Sequence, residues 1–208
     1  MKTYKIALIA ACAATLAACS STDKQSADVY QAAEKAVASS FQNMQPGWDK
    51  RLVQDQSQKM CTAARDKPSK AEGEFIEKLN QSFKVQYPAD GKLIGDWKKG
   101  ESIAQNGYGM RVGDNNPSRE NGGNCYACHQ IQKKELSFGT MGPTLAGYGK
   151  VRGNSDAIVK YTYDKIYNAQ AFSACSNMPR FGHNGILSPT QISHLVALLL
   201  DPKSPVNQ

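Results

Sequence analysis

The sequence predicts an all-α protein behind a short export segment. Three observations carry that expectation. Apolar residues recur at spacings of three and four in several separate stretches. No stretch of useful length alternates apolar and polar residues in the manner of a strand. Residues that favour helix starts and stops bracket the apolar stretches, most clearly at Ser188-Pro189 and Asp201-Pro202.

The elements follow in chain order. Lys2 and Lys5 give a positive start, and an apolar run from Ile6 to Leu16 comes next. That run is too short to span a bilayer and has the layout of a secretory signal, expected over residues 1–18. Leu16-Ala17-Ala18-Cys19 resembles a bacterial lipobox, in which the signal is cut before a cysteine that then carries lipid. The alternative is ordinary cleavage at a nearby small residue. Either way Cys12 leaves with the signal. A lipidated Cys19 would anchor the chain stably, and Ser20 after it resembles an outer-membrane address. The expected location is the periplasm, with the outer membrane as anchor if Cys19 is lipidated.

Residues 20–26 are small and polar and read as a tether. Val29, Ala32, Ala33, Ala36 and Val37 then repeat at helical spacing, until Pro46-Gly47. A second stretch places Leu52, Val53, Cys61 and Ala64 on one side, interrupted by Pro68. A third holds Phe75, Ile76, Leu79 and Phe83 and stops before Pro88. Residues 19–92 thus form a tether and a helical extension, expected to pack on the following domain or on a partner chain. Residues 93–208 read as the principal domain. Glycine and proline are dense from Leu93 to Asn124, where only Trp97 to Asn106 looks helical. A further helix fits Ser155 to Ala169, with Ile158, Tyr161, Ile166 and Tyr167 apolar. The last helix has Ser188 as N-cap, Pro189 at its first position and Gln191 completing a capping box. Its expected buried stripe is Ile192, Leu195, Val196 and Leu199.

Composition sets limits on function. The chain has 208 residues, 40% hydrophobic and 21% charged, which is an ordinary globular balance. Its length excludes a large multidomain enzyme. With no second long apolar run, a polytopic membrane protein is excluded too. Lys and Arg number 25 against 18 Asp and Glu, a net +7; loss of residues 1–18 would remove Lys2 and Lys5 and no acid. The basic residues are scattered, which argues against nucleic acid and for a basic face toward an acidic partner.

The strongest signal is Cys125-Tyr126-Ala127-Cys128-His129. C-x-x-C-H is the pattern of covalent haem c attachment. Two thiols three positions apart can add to the two haem vinyl groups, and the next residue offers an imidazole to the iron. A zinc site would need two more Cys or His ligands at suitable spacing. A redox dithiol would need a βαβ context that the sequence lacks. Cys61 and Cys175 are left as an even pair in an oxidising compartment, so a disulfide is expected. The alternative is a free thiol near the haem, as ligand or nucleophile.

In order along the chain stand Gly95-Asp96-Trp97-Lys98-Lys99-Gly100-Glu101, the haem motif, Gly142-Pro143-Thr144-Leu145-Ala146-Gly147 and the final amphipathic helix. This set resembles a class I cytochrome c domain. The resemblance implies that the opening helix crosses the last one. It also implies that the Pro143 carbonyl accepts a bond from the proximal ligand His129, fixing the ring and raising its basicity. The distal ligand is expected to be Met178, in Asn177-Met178-Pro179, which resembles the distal loop of that family. Met141, just before Pro143, falls on the proximal side, while His183 and His194 are rivals. The iron ligands are then His129 and Met178, a set suited to outer-sphere electron transfer.

The flanking words Gly91-Lys92-Leu93-Ile94, Gly122-Gly123-Asn124 and Asn177-Met178-Pro179-Arg180-Phe181-Gly182 narrow the likeness to the SoxX family. These are monohaem subunits of the SoxAX cytochromes of thiosulfate-oxidising bacteria. The likeness covers residues 93–208, and the long extension resembles the longer members. The lipobox departs from many of them. The family implies one covalent haem c, a SoxA subunit as partner, the SoxYZ carrier protein and a downstream electron acceptor. It implies a subunit of an L-cysteine S-thiosulfotransferase, in which the chain itself carries electrons and no catalytic residue. A free-standing electron carrier and a haem sensor that loses Met178 are the alternatives.

Overall fold

The computed structural model describes residues 28–42, 44 and 47–208. The signal segment, Cys12, Cys19 and the tether at 20–26 lie outside the described residues. The chain divides into two compact units, Met1–Met44 and Gln45–Gln208. In the first, residues 28–40 form a helix, α1, with every side chain exposed. The second unit holds α2 (Asp49–Leu52), α3 (Gln56–Ala63), α4 (Lys70–Gln81), α5 (Trp97–Gln105), α6 (Tyr148–Arg152), α7 (Asp156–Tyr167) and α8 (Pro189–Leu200). Among the described residues there is no strand. The protein is all-α, as the periodicity predicts. None of the described helices is long and apolar enough to cross a membrane.

The second expected helical stretch is two helices. Asp55 interrupts it and caps a new one: its side chain accepts from the Gln58 N–H at 2.9 Å, and the Gln58 side chain accepts from the Asp55 N–H at 2.9 Å. This reciprocal cap starts α3 and leaves Val53 exposed between the pieces. Ser69 and Glu72 cap α4 in the same way. On α4 the buried face is Ile76 and Asn80, with Leu79 half-buried and Phe75 exposed; Phe83, just past the helix, is half-buried. Burying Ile76 contributes about 1.5–3 kcal/mol. Asn80 is a polar residue inside that face and is satisfied there: its Nδ2 donates to Ser57 Oγ at 2.9 Å and to Ile76 O at 2.8 Å.

The main core surrounds α8. Ser188 and Gln191 form the predicted capping box. The buried surface of α8 is wider than a stripe: Ile192, Ser193 and every residue from Leu195 to Leu200 are buried. The cause is that α5, α6, α7 and a 3-10 turn at Pro205–Asn207 all pack against it. Contact with α5 is close because Gly100 has no side chain; a Cβ there would lie 2.1 Å from the His194 carbonyl oxygen. The Gly95 N–H donates to Ser193 O at 3.0 Å, fastening the entry to α5. Tyr163 and Val159 of α7 are buried with Ile166 and Tyr167, whereas Ile158 and Tyr161 are half-buried.

A smaller cluster joins the extension to the rest of the unit. It comprises Cys61, Ile76 and Cys175, with Met60 and Ala174 packed beside them. Cys61 and Cys175 are disulfide-bonded, with Cα atoms 5.3 Å apart across 114 positions of sequence. The expected pairing is therefore present. The join at 92/93 lies inside the compact unit that starts at Gln45.

Candidate functional site

The site begins where the chain leaves α5. The N–H groups of Gly122, Gly123 and Asn124 donate to the carbonyls of Tyr108, Ile103 and Asn106 at 2.9, 2.9 and 3.0 Å. The two glycines permit this approach. A Cβ on Gly122 would fall 1.9 Å from the Asn106 carbonyl oxygen, and one on Gly123 would fall 3.0 Å from Cys125 Sγ. Asn124 then takes a left-handed conformation, φ 47°, which asparagine tolerates better than most residues. A 3-10 turn follows over Cys125–Ala127, and Cys128 and His129 both donate to the Cys125 carbonyl, at 3.1 and 2.9 Å. One tight turn thus carries both thiols and the imidazole.

A second segment folds back on that turn. Gly139 N–H donates to Tyr126 O at 2.9 Å, Gly142 N–H to Cys128 O at 2.8 Å and Leu145 N–H to Gln130 O at 2.8 Å. The backbone of Gly142 lies directly against the His129 ring: a Cβ there would be 2.1 Å from Cε1 and 2.4 Å from Nδ1. The His129 Nδ1 is 2.7 Å from the Pro143 carbonyl oxygen. Because a carbonyl only accepts, Nδ1 carries the proton and donates. Nε2 is then the basic nitrogen with its lone pair available to a metal.

The two thiols are not bonded to each other. Cys125 packs against the main core, and burial pushes its thiol up to about 12. Among the described residues, no three Cys, His, Asp or Glu side chains converge on one point. The donors on this turn are two thiols and one imidazole. They fit a haem c: two thiols on one turn, an imidazole with a fixed tautomer, and half-buried apolar side chains of Tyr126, Leu145, Tyr148, Ile158 and Met178 resting on the same core.

Met178 is half-buried in the loop between α7 and α8, and its N–H donates to Ser176 Oγ at 3.3 Å. Its rivals are placed otherwise. Met141 is 70% exposed. The His183 ring stacks on Phe83, with centroids 4.6 Å apart. The His194 Nδ1 accepts from the Asp96 N–H at 2.9 Å, so this ring fastens the start of α5. Burial first, then Arg180 for His183 and Lys99 for His194, lowers both imidazoles below their usual values. Met110 is a methionine that lies before the motif and also rests, half-buried, on the main core.

The structure brings Cys125, Cys128, His129 and Pro143 together, and it bonds Cys61 to Cys175. Two surface cavities lie elsewhere. One of about 510 Å³ is lined by Trp48, Arg51, Asp55, Arg180 and His183. Another of about 1030 Å³ is lined by residues including Lys99, Tyr108, Arg119, Leu187 and His194. Cys125, Cys128, His129 and Met178 line neither of them.

No family model matches the chain. It is similar to an uncharacterized lipoprotein of Aquifex aeolicus, with 39% identity over 160 residues that span 75% of this chain and 74% of that protein. At that identity and extent, the chain belongs to the same family as the Aquifex aeolicus lipoprotein.

Proposed function

We propose that this protein is a monohaem c-type cytochrome with the class I fold, and that it serves as the SoxX-like electron outlet of a SoxAX heterodimer. The observation that carries the reading is the turn Cys125–His129 with His129 Nδ1 fastened to the Pro143 carbonyl at 2.7 Å. Cys125 and Cys128 would hold the haem by thioether bonds, and His129 and Met178 would ligate its iron. When bound, the group supplies a reversible one-electron change at iron. The chain's own residues determine the setting. Pro143 fixes the imidazole tautomer and orientation, Gly142 leaves room for the ring, and Met178 would hold the group from the loop between α7 and α8. With His129 and Met178 both ligating the iron, electrons would pass through a docked partner and not by substrate binding.

The narrower SoxX reading rests on the order of sequence motifs from Gly91 to Gly182. The close α5–α8 crossing at Gly100 supports the class I fold. Coupling thiosulfate to a carrier cysteine joins sulfur to sulfur and releases one proton and two electrons. In this reading the SoxA subunit performs that coupling on SoxYZ, and this chain passes the electrons singly to an acceptor. Lys133, Lys134, Lys150 and Arg152 are exposed, as are Leu136 and Met141 between them in sequence, which supports docking by an acidic partner. Family membership with a lipoprotein, together with Leu16-Ala17-Ala18-Cys19, supports a periplasmic protein held to the membrane by lipid at Cys19.

The test is co-purification from the native host followed by thiosulfate-dependent haem reduction. The reading predicts a stable 1:1 complex with a second c-type cytochrome. It predicts reduction of this chain by thiosulfate only when that partner and a carrier protein are present. A chain that purifies alone and turns over with unrelated redox partners would make it a free-standing carrier. Conjugation of thiosulfate to a carrier cysteine by the isolated chain would make it catalytic.

A further inference from the structure

We propose that the extension before Leu93 is a splint for the loop that carries Met178, with Asp55, Asn80, Arg180 and the Cys61–Cys175 bridge as positioning groups. The proposal rests on reading Met178 as the distal ligand. Six ties join the extension to residues 171–183. Gln81 Nε2 donates to Ala171 O at 2.8 Å. Glu77 Oε1 accepts from the Ala174 N–H at 3.1 Å. Cys61 is bonded to Cys175. Arg180 Nη2 donates to Asp55 Oδ2 at 2.5 Å and its Nη1 donates to Asn80 Oδ1 at 3.3 Å. Phe83 stacks on His183.

The ties bracket Met178 closely, at Cys175 on one side and Arg180 on the other. Both flanking residues are held in positions that a free loop would abandon. Arg180 is 4% exposed, an unusual burial for a guanidinium, and Asp55 and Asn80 satisfy it there. Cys175 has φ 56°, a left-handed conformation that a non-glycine residue keeps only when its surroundings impose it. Asn80 is itself fixed, since Asn168 Nδ2 donates to its Oδ1 at 3.1 Å. The loop therefore cannot swing Met178 away while these contacts stand. Swinging it out requires the Arg180 pairings or the bridge to give way.

Local opening of this kind sets how readily an outside ligand replaces Met178. An incoming ligand binds only the open form, so its apparent affinity scales with the open fraction. The splint lowers that fraction. It works through position and not through contact with the metal, so its signature is a ligand-exchange constant and not a redox turnover.

The experiment is an imidazole titration of the ferric holoprotein, followed at the Soret band in every sample and at the near-infrared sulfur-to-iron band in the samples that keep Met178, with far-UV circular dichroism confirming that each sample is folded. Four samples are compared: wild type, wild type with the bridge reduced and alkylated and the iron reoxidised, Asp55→Asn, and Met178→Ala. The expected result is imidazole affinity at least tenfold higher with the bridge opened. A smaller shift in the same direction is expected for Asp55→Asn, which is nearly isosteric and keeps the test valid if the opened protein fails to fold. Met178→Ala sets the limit of a fully open site. If Met178→Ala raises the affinity while the other two match wild type within twofold, the splint is overturned and the ligand assignment stands. If Met178→Ala also leaves the affinity unchanged, the assignment fails and the splint falls with it.

Discussion

Gly142→Ala is the sharpest perturbation of the proximal side. A methyl group there would sit 2.1 Å from His129 Cε1, 2.4 Å from Nδ1 and 2.7 Å from Nε2, where ordinary contact begins at 3.4 Å. The ring or the Gly142 backbone must move by over about 1 Å to relieve this, since three ring atoms are crowded at once. The backbone is held by the bond from its N–H to Cys128 O at 2.8 Å, so the ring is the part that yields. A shift of that size breaks the 2.7 Å bond from Nδ1 to Pro143 O. The lost bond costs about 0.5–1.5 kcal/mol, and overpacking costs about 1–3 kcal/mol. At about 2–4 °C per kcal/mol for a chain of this size, the thermal midpoint should fall by roughly 3–18 °C. Gly113→Ala is the control, because a Cβ there meets nothing within 4 Å. The assay is thermal unfolding by circular dichroism alongside the electronic absorption spectrum. The spectrum should show a weakened or displaced imidazole in Gly142→Ala alone. Equal midpoints and identical spectra for the two variants would refute the reasoning.

Three other perturbations test separate parts of the account. Replacing both Cys61 and Cys175 by serine releases a loop of 114 positions; the chain-entropy loss is about 4–5 kcal/mol at most, less by whatever constraint the proposed haem bonds would add, and urea unfolding should show it. Burial pushes the Asp55 carboxyl up, but the Gln58 N–H and Arg180 outweigh it and hold it below its usual value of 3.8. Its stabilisation is therefore full above about pH 4 and lost as pH falls through the depressed value, so Asp55→Asn should flatten the acid limb of an unfolding-against-pH curve; parallel limbs would argue against the pair. Cys19→Ser should move the protein from the membrane fraction to the soluble periplasm, and a wild-type protein already soluble with an unmodified N-terminus would oppose lipid anchoring.

The sequence disclosed the helices with strong caps and clear stripes. Ser188, Pro189 and Gln191 mark α8 because each has a position-specific role at a helix start. The break at Val53 was legible in principle, since Asp55 and Gln58 form the same kind of cap, but the apolar spacing across it masked the signal. Asn80 and Arg180 could not be placed in advance. A polar residue on a buried face is stable only if its partners arrive from elsewhere, and here they come from Ser57, Asp55 and Asn168. The breadth of the buried face of α8 was hidden for a related reason, because the apolar pattern within one helix does not say how many neighbours surround it. The proximal side of the candidate site was legible from five consecutive residues, because C-x-x-C-H couples spacing to chemistry. The splint was not, because it depends on contacts between residues about a hundred positions apart.

The most direct measurement is mass spectrometry of the peptide containing Cys125 to His129, taken from protein exported by a host that matures c-type cytochromes. The account predicts one haem attached through both sulfurs, with neither Cys125 nor Cys128 open to alkylation. A haem-free peptide with both thiols alkylated would contradict it.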